Sequence, residues 1–109
     1  MQYLSAFGAN PTKTRVCVDR NRVTGGGVTA GIDFALTVVS LLIDRQAAEM
    51  VQLRLEYNPA PPFNAGSPDT APPEVLALMK ERNAPAQARR GEAVRRAAAR
   101  LASPQQSLA

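Results

Sequence analysis

Three kinds of group in this 109-residue chain could do chemistry: one thiol, a glycine run ahead of an apolar stretch, and nine carboxylates. A cysteine nucleophile reacts as the thiolate, which at neutral pH needs a basic or dipolar neighbour, usually a histidine. The chain has no histidine, and its single Cys17 lies between two valines in "TRVCVDRNRVT". That setting favours a buried structural cysteine over a nucleophile. A lone cysteine also excludes an internal disulfide, and without histidine a zinc site is not expected. No metal and no other cofactor is expected.

The glycines open "TGGGVTAGIDFALTVVSLLIDR", Thr24–Arg45. Backbone N–H groups of such a loop could cradle a phosphate. A Walker loop continues into Lys-Ser/Thr, and this one does not. Gly25, Gly27 and Gly31 are spaced G-x-G-x-x-x-G, one residue longer than the dinucleotide fingerprint. A tight strand-to-helix turn is therefore favoured over nucleotide binding. Asp33, Asp44, Glu49 and Glu56 lie in settings too different to form an acid–base pair. Asp33 stands out because it follows the glycine loop, although a charge at a helix N-terminus is its simplest role.

These residues need elements to position them. Alternation and β-branching predict two strand segments, Arg15–Asp19 and Arg22–Thr24, around a turn at Arg20-Asn21. A helix follows from about Thr29, a candidate N-cap, with Asp33 in its first turn. Thr29, Asp33, Thr37, Ser40 and Asp44 form one narrow polar stripe, and the rest of the circumference is apolar. A transmembrane reading fails because the run between Asp33 and Asp44 is ten residues, whereas a span needs about 20. "QAAEMVQLRLEY" reads as an amphipathic helix. "NPAPPFNAGSPDTAPPE" holds six of the nine prolines and can be neither helix nor central strand; Phe63 within it predicts a segment that packs down. A third helix, "PPEVLALMKER", has prolines in its first turn and Asp69 or Thr70 as candidate cap. The last helical segment, "QARRGEAVRRAAARLA", leads to an end, "SPQQSLA", expected to fray.

The net charge is +4, but residues 1–79 carry −1 and residues 80–109 carry +5. The basic character belongs to the tail, where a solvated helical face is favoured over binding to nucleic acid or anionic lipid, since no aromatics interleave and no DNA-binding motif is present. The start, "MQYLSAFGANP", does not read as a signal peptide, and a cytoplasmic location is expected.

The order of the pieces adds what no single piece carries. "DRNRVTGGGVTAGIDFAL", an apolar helix, then "QLRLEYNPAPPFNAGSPDTAPPE" resembles the C-terminal half of the ThiJ/PfpI family, class I glutamine amidotransferase-like proteins, in its isonitrile hydratase branch. "TGGGVTAGIDFAL" is shared with the amidase-like sensor domains of AraC-type regulators; "EYNPAPPFNAGSP" points to the hydratase branch. The resemblance implies an α/β fold, the C-terminal part of a flavodoxin-like three-layer domain, here a short β-hairpin plus three to four helices. It covers about residues 3–82, leaving 83–109 as a basic Ala/Arg-rich helical tail expected to be partly disordered.

Full-length members are homodimers that, in this branch, add water to an isonitrile to give an N-substituted formamide. Their nucleophile-elbow cysteine and carboxylates lie in the family's first half, so Cys17 does not inherit that role. The resemblance implies no catalytic residue here, no activity of the chain alone, and Gly26, Gly27, Val28 and Thr29 as pocket-lining candidates. It implies self-association and a small-molecule substrate only in the full-length family; the residues themselves lead to no expected membrane partner and disfavour nucleic acid. Two other readings stay open: the end of an AraC-type sensor domain, which would need a helix-turn-helix module downstream, and an independent module that self-associates. One departure is visible. The family's turn reads Asp-Gly-Asn where this chain has Asp19-Arg20-Asn21, so a left-handed arginine would store about 1 kcal/mol of strain.

Overall fold

The computed structural model describes residues 2–103, which fall into two compact units, residues 12–60 and the flanking residues 2–11 with 61–103.

In Thr12–Ala60, β1 (Val16–Asp19) and β2 (Arg22–Gly25) form an antiparallel hairpin, with Cys17 opposite Thr24 and Val18 opposite Val23. The turn sits where the β-branched alternation stops. Arg20 takes the left-handed conformation at φ +55°, the strained choice expected where glycine would be easier. A 3₁₀ turn at Val28–Ala30 leads into α1 (Gly31–Leu42), and α2 (Arg45–Arg54) follows after a two-residue break. Thr29 is therefore not the N-cap: the cap position is Ala30, with no side-chain bond. The tight i→i+3 turn, with Ala30 N–H donating to the Gly27 carbonyl at 3.1 Å, takes over the entry to the helix. Asp44 does not extend the stripe of α1. It caps α2, accepting from the Ala47 N–H at 2.7 Å.

The polar stripe is satisfied within α1: Thr37 Oγ1 donates to the Asp33 carbonyl at 2.8 Å and Ser40 Oγ to the Thr37 carbonyl at 2.7 Å. The helix packs on both strands and on α2. Among the described residues the buried apolar residues are only Ala30 and Ala48, while Leu42 and Leu53 stand 80% and 79% exposed. The hairpin covers one side of the apolar circumference of α1 and α2 another, and Leu41, Leu42 and Ile43 are left outward at its end.

In the other unit a 3₁₀ turn, Leu4–Phe7, closes on Gly8 at φ +78° and packs on α3 (Pro73–Ala102). The two helices expected on either side of "NAPA" are one 30-residue helix with Pro85 inside it. A mid-helix proline costs about 3 kcal/mol, but alanines at positions 86 and 88 and arginines at 89 and 90 are strong helix formers on its C-terminal side. The helix runs through Arg82 and Asn83, where the tail was expected to begin, as far as Ala102. Its cap position is Pro72, not Asp69 or Thr70, with Pro73 in the first turn as expected. Ser67 organises the approach, its carbonyl accepting from Ala71 N–H at 2.8 Å and its Oγ from Asp69 N–H at 3.1 Å. Phe63 does not pack down; it is exposed. The Tyr3 hydroxyl donates to the Gln87 carbonyl at 2.9 Å, with its ring against buried Gly91. Most of the expected frayed end, residues 104–109, lies outside the described residues.

No helix among the described residues is long and apolar enough to cross a membrane.

Candidate functional site

The loop between β2 and α1 is built on a close backbone approach. Gly26 N–H donates to the Arg15 carbonyl at 2.7 Å, one step beyond the Val16–Gly25 pair. A side chain at Gly26 would land on the Thr14 carbonyl oxygen, so the residue has to be glycine. Neither neighbour is under that constraint. A Cβ at Gly25 would make ordinary contact with Phe34, and one at Gly27, whose φ of 178° any residue adopts, would meet open space. Gly27, Val28 and Thr29 then swing outward, and the Val28 side chain is wholly exposed. The four pocket-lining candidates thus form one continuous surface loop. A separate open groove of about 420 Å³ runs along α2, lined by Glu49, Gln52, Leu53, Glu56, Tyr57 and Asn58.

The loop is braced by a polar cluster at the start of α1. Asp33 lies in the first turn with its side chain 28% exposed. Its Oδ1 accepts from the Tyr57 hydroxyl at 2.5 Å, and its Oδ2 pairs with Arg15 Nε. Arg15 Nη2 donates in addition to the Thr29 carbonyl at 2.9 Å. The hydrogen bond from Tyr57, and then the one from Arg15, hold the Asp33 carboxyl below its usual range. The same bond to Asp33 raises Tyr57 above an ordinary phenol, and Asp33 raises Arg15 further. At neutral pH the cluster is a carboxylate, a guanidinium and a neutral phenol. All three groups are committed to one another, an arrangement suited to holding backbone in place rather than moving protons.

Asp33 was legible as the carboxylate beside the glycine loop. Arg15 and Tyr57 were missed, being 18 and 24 residues away from it; no local period links them. Cys17 sits in β1, half-buried rather than buried. Its neighbour across the hairpin is Thr24, not an acid–base partner.

No family model matches the chain. It is 54% identical over 98 residues to an isonitrile hydratase of Pseudomonas putida, an alignment that covers 90% of this chain and 43% of that protein. It superposes with a TM-score of 0.77 and 48% identity on a crystal structure of a ThiJ/PfpI family protein from Pseudomonas syringae, over 89% of this chain and 38% of that one. The chain thus spans less than half the length of these relatives. Its hairpin and three helices form part of the flavodoxin-like α/β fold of that structural neighbour. Over nine-tenths of its length the chain thus agrees, in both sequence and backbone, with part of a ThiJ/PfpI family protein and with part of an isonitrile hydratase.

Proposed function

We propose that these 109 residues are the supporting part of an isonitrile hydratase-like protein. In this reading the whole protein adds water to an isonitrile to give an N-substituted formamide. The present residues contribute the Gly26–Thr29 wall of its substrate pocket and no catalytic group. The observation that carries the reading is the 54% identity to an isonitrile hydratase over 98 residues. The outward Val28 side chain supports it, since an apolar side chain held on a braced loop is what a pocket wall presents to a small organic substrate. The residue content supports the second half of the reading: no histidine is present, and the one thiol is a half-buried strand residue.

A chimera tests it. The 98-residue matched segment replaces its counterpart in the Pseudomonas putida isonitrile hydratase, and formamide formation is followed. The chimera is expected to turn over isonitrile. A chimera that folds, by its circular dichroism and melting, yet makes no formamide would overturn the assignment.

A further inference from the structure

We propose that Arg15 is a positioning residue for the substrate site, its guanidinium held on Asp33 while Tyr57 fixes that carboxylate, so that one residue sets both ends of the Gly26–Thr29 loop. The inference rests on the reading of that loop as a pocket wall.

Arg15 meets the loop twice. Its backbone carbonyl accepts from Gly26 N–H at 2.7 Å where the loop leaves β2, and its Nη2 donates to the Thr29 carbonyl at 2.9 Å where the loop enters α1. Between these points, Gly27 and the exposed Val28 depend on the two anchors for their position. The guanidinium can reach Thr29 only if its Nε edge is oriented, and Asp33 Oδ2 orients it. Asp33 is in turn fixed through Oδ1 by the Tyr57 hydroxyl, which arrives from the segment after α2. An ion pair with the Arg15 side chain 57% exposed adds little to stability. What the arrangement supplies is direction, through a planar donor set that engages a carboxylate and a carbonyl at once. Lysine, a point charge, cannot reproduce it.

Two measurements test the proposal. In the 109-residue chain, hydrogen exchange at the loop's bonded amides, Gly26 and Ala30, should accelerate about tenfold in Arg15→Met, as local opening becomes easier. In the chimera, Arg15→Met and Arg15→Lys should each raise KM by about tenfold with kcat held within about twofold, the mark of lost ground-state positioning. Tyr57→Phe should shift both readouts the same way, by less. Unchanged exchange and KM in Arg15→Met, or full restoration by lysine, would overturn the proposal. Should Arg15→Met fail to fold, Tyr57→Phe decides: a folded variant with unchanged loop exchange refutes it. If the parent chimera folds but is inactive, the hydratase reading fails while exchange in the 109-residue chain still judges the Arg15 brace.

Discussion

Replacing Gly26 by alanine should damage this chain, and replacing Gly27 should not. At position 26 a Cβ would overlap the Thr14 carbonyl oxygen and lie 3.4 Å from both Arg15 Cα and the Arg15 carbonyl oxygen. All three are backbone atoms at the edge of a paired strand, so none can turn aside as a side chain would. Relief requires the loop to lift off, which stretches or breaks the 2.7 Å bond from Gly26 N–H to Arg15. Overpacking of this kind costs about 1–3 kcal/mol, and a lost backbone hydrogen bond about 1 kcal/mol more. Gly26→Ala should therefore destabilise by about 2–4 kcal/mol, which in a domain of this size lowers Tm by roughly 10–30 °C. At position 27 the backbone is extended and the added methyl meets open space. Gly27→Ala should be neutral or stabilise by about 0.4–1 kcal/mol through the unfolded chain. The assay is thermal unfolding by circular dichroism, with both variants at one protein concentration. Equal Tm values for the two would refute the reasoning that a close backbone approach demands this glycine.

The Asp33 cluster makes stability depend on pH at both ends. The lowered Asp33 value contributes stability that is present above its ordinary value of 3.8 and is lost as pH falls through the folded value. The raised Tyr57 value contributes stability that is present below 10.0 and is lost as pH rises through the folded value. A Tm–pH profile should show Asp33→Asn flattening the acid limb and Tyr57→Phe the alkaline limb; unaltered limbs would show that the cluster does not form. Cys17, half-buried in β1, should react with a thiol reagent several-fold more slowly in the native chain than in denaturant, and equal rates would mean the hairpin is open. The exposed Leu41, Leu42, Ile43, Leu53 and Leu55 each forgo part of the roughly 1.5–3 kcal/mol that burial of a large apolar side chain supplies. Chromatography with light scattering should accordingly give a mass above 11.6 kDa; a sharp, cooperatively melting monomer would contradict self-association.

Local rules in the sequence located the hairpin and the helices. β-Branched alternation placed β1 and β2, and the unfavourable arginine in the turn was visible as a departure from glycine. Asp33 could be picked out because a first-turn carboxylate after a glycine loop is itself a local pattern. The misassignments share a cause, which is that a local preference was overridden by a neighbour. Thr29 is a good cap by type, but a 3₁₀ turn gives the helix its entry. Pro85 reads as a helix stop, but the alanines and arginines after it carry α3 onward. Phe63 reads as an anchor by its apolar area, yet it stands exposed among the described residues. Arg15 and Tyr57 were beyond reach in principle, because their role exists only once the hairpin, α1 and the segment after α2 are folded together.

The most direct test of the account is to incubate the purified 109-residue chain with an isonitrile and follow the N-substituted formamide. The proposed role of these residues is a pocket wall and its brace, with no nucleophile, so product should form no faster than in buffer. Formamide above the buffer rate, abolished in Cys17→Ser, would contradict it, placing the chemistry on the one thiol the chain has.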